Sequence, residues 1–156
     1  MSEHHDHHYH VTCRWTGSTG AGYEAYGRTH ALSAEPAETT LQTSSDPAFR
    51  GDPRLLNPEQ LLVMAASSCQ LLSFLAVAAR KRIDVVDYMD RAEGLMPEGD
   101  KPIRITRILL KPRIVVKGPA DETAVKKAVE IGHQQCFIAN SLKTDIQIEA
   151  EIVIQA

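Results

Sequence analysis

Residues 57–82, NPEQLLVMAASSCQLLSFLAVAARKR, decide the fold. Asn57 can N-cap a helix, Pro58 suits its first position, Glu59 sits at the positive end of the dipole, and Gln60 stands where a capping box wants it. Apolar residues then follow on almost every side rather than on one stripe. Charge returns only at Arg80, Lys81 and Arg82, the carbonyl end where cations belong. The pattern predicts a buried helix over 57–82. A membrane span has similar length, but Ser67, Ser68, Gln70 and Ser73 interrupt this one and nothing else in the chain supports that reading. Cys69 lies mid-helix, with Ala65, Ala66, Leu72 and Ser73 one turn away, small neighbours that admit close approach by another element.

A chain of 156 residues is read as one domain, 1–156, large enough to bury a core. Its net charge of -3 makes no electrostatic case for nucleic acid or an anionic membrane. Residues 1–9, with His4, His5, His7 and His8, are expected to form a flexible polar tail rather than a metal site or signal peptide. Three cysteines, spaced 56 and 67 residues apart, make neither a secreted disulfide framework nor a paired zinc site. A reducing cytoplasm is the expected compartment.

Strands are predicted over 11–16, which carries Cys13, and over 23–33, with Gly17, Gly20 and Gly22 turning between them. Residues 34–56 read as a loop, with a short strand around 39–43 and with Phe49-Arg50-Gly51 before the helix. After the helix come a strand over 83–91 and a long strand or strand pair over 104–117, interrupted at Pro112. A second helix, 120–135, shows the stripe Val125, Ala128, Val129, Gly132, and one further step reaches Cys136. Alternation of Ile146, Ile148, Ala150, Ile152 and Ile154 closes the chain with a strand over 145–154. Hairpin-like runs of strands around two helices predict an α+β fold with mostly antiparallel sheets.

Two inward cysteines on different helices can meet. Within about 4.4–6.8 Å between Cα atoms they can form a disulfide, which in a reducing compartment means a redox cycle. A thiol near its ordinary pKa of about 8.5 needs help to ionise at neutral pH. Arg80 and Arg82 lie about 16–20 Å further along the helix from Cys69, so a loop arginine is expected to serve: Arg50 first, then Arg28 or Arg54. Glu59 could hold such an arginine. It precedes Cys69 by about 15 Å of helix, so its membership of the site implies two copies of the chain. His133 either tunes Cys136 or is an ordinary polar residue. A zinc site from Cys69, Cys136 and His133 lacks a fourth ligand, and no metal or cofactor is expected.

NPEQLLVMAASSC, then HQQCFIANSL 67 residues after the first cysteine, then an alternating terminal strand, resembles the OsmC/Ohr family of osmotically inducible and organic hydroperoxide resistance proteins. The resemblance runs from about Phe49 to the C-terminus. It implies two mostly antiparallel sheets around long central helices in an intertwined homodimer with active sites at the interface. It also implies thiol peroxidase activity on organic hydroperoxides, with a dithiol reductant of the lipoyl type. Carried over residue by residue, Cys69 matches the peroxidatic cysteine, Cys136 the resolving one and Glu59 the carboxylate that holds the catalytic arginine. Arg50 matches the arginine of the OsmC branch, whereas the Ohr branch would favour Arg28; Arg50 is the choice. Phe137 stands where Ohr members have proline, and Gln70 where they have an aromatic. A redox-sensing or ligand-binding protein with the same cysteine pair and no efficient turnover is the rival reading.

Overall fold

The computed structural model describes residues 5–156. His4 lies outside them, and His5, His7, His8 and His10 are exposed and carry no regular structure. The chain forms two compact units, one running to Pro58 and one from Glu59 onward.

In the first unit, β1 (Thr12–Arg14), β2 (His30–Ser33) and β3 (Leu41–Thr43) form an antiparallel sheet in chain order. Cys13 is exposed and opposite Leu32. The strand expected over 23–33 begins only at His30, because the residues before it make a loop packed by its own side chains. Arg28 donates to the carbonyls of Tyr23 and Tyr26, and its guanidinium lies 4.6 and 3.8 Å from the centres of those two rings. Trp15 stacks edge-on against Tyr26 and donates to the Gly27 carbonyl at 2.8 Å. These contacts satisfy the loop internally and leave no ladder for a strand.

A 3-10 turn at Pro47–Phe49, capped by Asp46, was not anticipated. It ends at Arg50 in the left-handed region, with φ 66°, and continues into Gly51. A Cβ on Gly51 would fall 1.5 Å from the Ser45 carbonyl oxygen, so only glycine fits. Ser44 donates to the Leu56 carbonyl at 2.8 Å and accepts from the Asp52 N–H at 3.1 Å, which pins both ends of this segment.

Helix α1 (Pro58–Arg80) belongs, from Glu59 onward, to the second unit. Three strands follow in one sheet, β4 (Val85–Asp90), β7 (Pro112–Lys117) and β9 (Glu151–Gln155), and three in another, β5 (Glu93–Leu95), β6 (Arg107–Leu110) and β8 (Asp145–Ile148). In each sheet the central strand pairs antiparallel on one side and parallel on the other. The region 104–117 is thus a strand pair, broken at Lys111, and Pro112 opens β7, where its missing N–H costs least. The terminal strand expected over 145–154 is also two strands. The breaks fall in step: Asp90 faces Pro112, Leu110 faces Ile148, and Arg113 faces Glu151, so the chain changes sheet at one common level. Asp90 secures that level by accepting from the Lys111 N–H at 2.7 Å and from the Ser67 hydroxyl of α1.

Helix α2 (Glu122–Gln134), capped by Asp121, packs its predicted stripe of Val125, Ala128, Val129 and Gly132 into a core with Phe74, Val77 and Ala78 of α1 and Ile114 and Val116 of β7. Burial of α1 follows one face only: Ala66, Gln70, Phe74, Val77 and Ala78. This corrects the all-round burial read from its composition, since Met64, Leu72 and Leu75 remain 49, 65 and 37 % exposed. By length and hydropathy α1 could cross a membrane, but its polar Gln70 and Ser67 are bonded to neighbouring elements of the unit.

Gly132 sets the distance between the helices, because a Cβ there would meet Cα and N of Phe74 at 2.9 Å. Gly132→Ala gains about 1 kcal/mol of helix propensity and meets an overpacking cost of about 1–3 kcal/mol. Net destabilisation by about 1 kcal/mol is the expected result of a urea melt; a more stable variant would show that the helices are not in contact there.

Candidate active site

Cys69 is half-buried on the middle of α1, and Cys136 is 1 % exposed. The second helix does not continue to Cys136, as the stripe implied. It stops at Gln134, Gln135 closes it by donating to Ile131 and Gly132, and Cys136 becomes the N-cap of a further short helix, α3 (Phe137–Ser141). Its Sγ accepts the Ala139 N–H at 3.4 Å. The inward orientation of Cys136 therefore comes from capping, not from helical periodicity.

The acidity of each thiol depends on the other. Burial pushes the Cys69 thiol up. The N–H of Ile138, the Cys136 thiol, the N–H of Phe137 and the Ser73 hydroxyl act against it and bring Cys69 below its ordinary value. Burial also pushes Cys136 up, opposed by the Ala139 N–H, and the hydrogen bond and charge of Cys69 push it higher still. The pair is asymmetric: Cys69 is the more acidic of the two and Cys136 the less.

The local scaffold explains the approach. Gln70, next to Cys69, donates from Nε2 to the Val129 carbonyl of α2 at 3.2 Å, and Gly132 lets α2 lie against Phe74 one turn beyond Cys69. Among the sulfur's partners, Ser73 stands one turn from Cys69, as its spacing predicts. The amides of Phe137 and Ile138 were missed altogether. A backbone donor has no side-chain signature, a cysteine N-cap lies outside the usual Ser, Thr, Asp and Asn set, and a five-residue helix carries no readable period.

The other expected residues lie as follows. Glu59 is half-buried in the first turn of α1, ten residues and about 15 Å of unbroken helix from Cys69, so it does not reach that thiol along its own helix. Arg50 is ion-paired with Glu24 in the first unit, both side chains largely exposed. Arg28 is held by the tyrosine loop, and Arg54 clamps Asp52 through two nitrogens at 3.0 and 2.7 Å, which holds that carboxyl at about 2. His133 lines an open groove with Lys126, Glu130, Ile146 and Glu149, and its ring makes no hydrogen bond to Cys136 among the described residues.

A family model described as OsmC-like protein matches residues 51–151, which include both cysteines. The chain belongs to the OsmC-like family. An OsmC-like protein of unknown function from Vibrio cholerae shares 27 % identity with it, at a TM-score of 0.83 over 93 % of this chain and 99 % of that one. The same fold recurs in an organic hydroperoxide resistance protein OsmC from Legionella pneumophila, 14 % identical with a TM-score of 0.66 over 94 and 97 % of the two chains. It recurs again in OhrB, the organic hydroperoxide resistance protein of Bacillus subtilis, 16 % identical with a TM-score of 0.60 over 94 and 98 %. By sequence, the uncharacterized protein YmaD of Bacillus subtilis is 20 % identical over 153 residues, 96 % of each chain.

In this OsmC-like chain the N–H of Phe137 is testable separately from its side chain. Proline is well tolerated at the first position of a helix but has no N–H to give. Thiolate is the form that reacts with iodoacetamide, so a lowered pKa carries Cys69 alkylation to lower pH than for a free thiol. Phe137→Pro should move the pH–rate midpoint upward and Phe137→Ala should leave it in place. Coincident profiles for wild type and Phe137→Pro would discount this donor.

Proposed function

We propose that this protein is a thiol-dependent peroxidase for organic hydroperoxides. The observation that carries the reading is the placement of half-buried Cys69 on the middle of α1 and of buried Cys136 as the N-cap of α3, with Cys69 the more acidic of the two. The Cys69 thiolate attacks the outer oxygen of ROOH, the O–O bond breaks, and the alkoxide takes a proton to leave as ROH. Cys69 is then a sulfenic acid. As the Cys136 sulfur attacks it, the Cys136 proton passes to the departing hydroxyl, the disulfide forms and water leaves. A dithiol of the lipoyl type restores both thiols and leaves as its own disulfide. No step calls for a metal or other cofactor.

Arg50 is assigned to the departing alkoxide and Glu59 to orienting Arg50, as the family resemblance implies. The present ion pair of Arg50 with Glu24 is solvent-exposed, so exchanging it for another partner costs about 0–1 kcal/mol. With Glu59 far along the helix from its own thiol, the reading calls for a homodimer. The uncovered Met64, Leu72 and Leu75 on α1 support one. The reducing cytoplasm is the proposed setting, since the thiols must be recovered after each turnover.

Steady-state consumption of cumene hydroperoxide with dihydrolipoamide tests the reading. Cys69→Ser should lower turnover by about a thousandfold or more. Cys136→Ser should consume about one equivalent per chain and then stall as sulfenic acid. Equal rates for wild type and Cys69→Ser would reject the assignment, and disulfide formation without turnover would favour the redox sensor.

The dimer has its own test. Leu72→Glu on an exposed monomer surface changes stability by less than about 0.5 kcal/mol, whereas in a buried seam it places a charge in an apolar contact. Sedimentation should show a dimer for wild type and a monomer for the variant; an unchanged sedimentation coefficient would place the seam elsewhere.

A further inference from the structure

Gln70 is a buried polar side chain that the chemistry above does not use. It is 1 % exposed, next to Cys69 on α1 and one turn before Phe74. Its Nε2 donates to the Val129 carbonyl of α2 at 3.2 Å, and its Oε1 is buried without a hydrogen-bond partner among the described residues. A buried amide oxygen left unpaired costs at least as much as one neutral hydrogen bond returns. A leucine or methionine of similar size would avoid that cost. Stability therefore does not account for Gln70.

What the bond does fix is register. The other contact between the two helices is apolar: Phe74, Val77 and Ala78 of α1 pack with Val125, Ala128 and Val129 of α2, and Gly132 lies on the Phe74 backbone. Such packing is non-directional and sets chiefly how near the helices lie. A hydrogen bond is directional and holds one point of α2 opposite one point of α1. The point on α1 is the residue after Cys69, and the point on α2 is seven residues before Cys136. From Val129 the backbone is unbroken helix to Gln134, and the Cys136 N–H then donates to the His133 carbonyl at 3.1 Å. The place of Cys136 thus follows the register of α2. The tolerance is narrow, because a disulfide needs Cα atoms within about 4.4–6.8 Å of each other. Sliding α2 by one residue moves it by about 1.5 Å, more than half of that window.

We propose that Gln70 is a positioning residue: its bond to the Val129 carbonyl fixes the register of α2 on α1 and so brings Cys136 within reach of Cys69 for disulfide closure. The role rests on the disulfide chemistry proposed above and adds what sets its equilibrium. It gives opposite signs for fold and chemistry, since replacing the amide relieves the unpaired oxygen and releases the register.

The test measures stability and closure on the same full-length variants, Gln70→Leu and Gln70→Met, beside the parent chain. All carry Cys13→Ser, so that the exposed third thiol does not react. Closure is read as the equilibrium between the protein dithiol and glutathione disulfide, which takes up the two hydrogens and leaves as two glutathiones. Both variants should match or exceed the parent in urea midpoint, while their disulfide equilibrium constants fall about tenfold. Constants unchanged or raised would overturn the role and leave the peroxidase standing. A loss of stability in both variants would make Gln70 a packing residue and overturn the role as well; were only one to lose it, the other decides. If glutathione disulfide closes the parent bond but cumene hydroperoxide is not consumed, the peroxidase falls and the Gln70 comparison still decides the role. Failure of both reagents to remove two titratable thiols from the parent would overturn both.

Discussion

The close approach of α1 and α2 at Gly132 is the constraint on which the rest depends. With no side chain between Gly132 and the backbone of Phe74, α2 lies deep against α1, and Gln70 ties the two helices by its bond to the Val129 carbonyl. Four residues beyond Gly132 the chain must turn, and the turn is where Cys136 sits. The placing of Cys136 thus follows from helix packing around Phe74, Val125, Ala128 and Val129.

How a thiolate is stabilised there is a question of which donors are cheapest to order. A guanidinium on a loop must be immobilised, at a cost of up to about 2 kcal/mol of rotamer entropy, before it acts. The amides of Phe137 and Ile138 are already fixed by the turn that makes Cys136 an N-cap, and they act at no such cost. The Ile138 amide acts on both sulfurs, and the asymmetry comes from burial and the charge of Cys69, which raise Cys136. In the proposed mechanism this division leaves Arg50 to the oxygen rather than to the sulfur. Its ion pair with Glu24 lies on an exposed surface and is worth about 0–1 kcal/mol.

Much of this could be read from residue order alone. Helix α1 was legible in its N-terminal signals and α2 in its stripe, because core-facing periodicity is a side-chain property; the inward placing of Cys136 was expected from that stripe but comes from its capping of α3. The errors share a cause in the backbone. Residues 23–29 have strand-like composition, but Arg28 finds two carbonyls and two aromatic rings within its own loop, a local arrangement that no alternation pattern reports. The alternation of 145–154 runs through a change of sheet without a break in period, so two strands read as one. Helix α3 and its amides were invisible because their capping residue is a cysteine. The turn holding Arg50 left one clue, Gly51, whose necessity appears only once the Ser45 carbonyl is seen against it.

The composition of α1 and its burial disagree, and the disagreement carries an argument. A helix apolar on nearly all sides is suited to being surrounded, yet α2 and the sheets cover only the face from Ala66 to Ala78. Each large apolar side chain left out, Met64, Leu72 or Leu75, forgoes part of the roughly 1.5–3 kcal/mol that full burial would contribute. Leu72 stands three residues from Cys69, so whatever covers this face comes to lie beside the reactive sulfur. In the proposed homodimer the covering element is the same helix of a second chain, and twofold symmetry brings that chain's Glu59 end toward this chain's interior turns. Association and chemistry then become one requirement: the apolar surface that drives two helices together is also what encloses the thiolate and keeps water from the sulfenic acid until Cys136 reaches it.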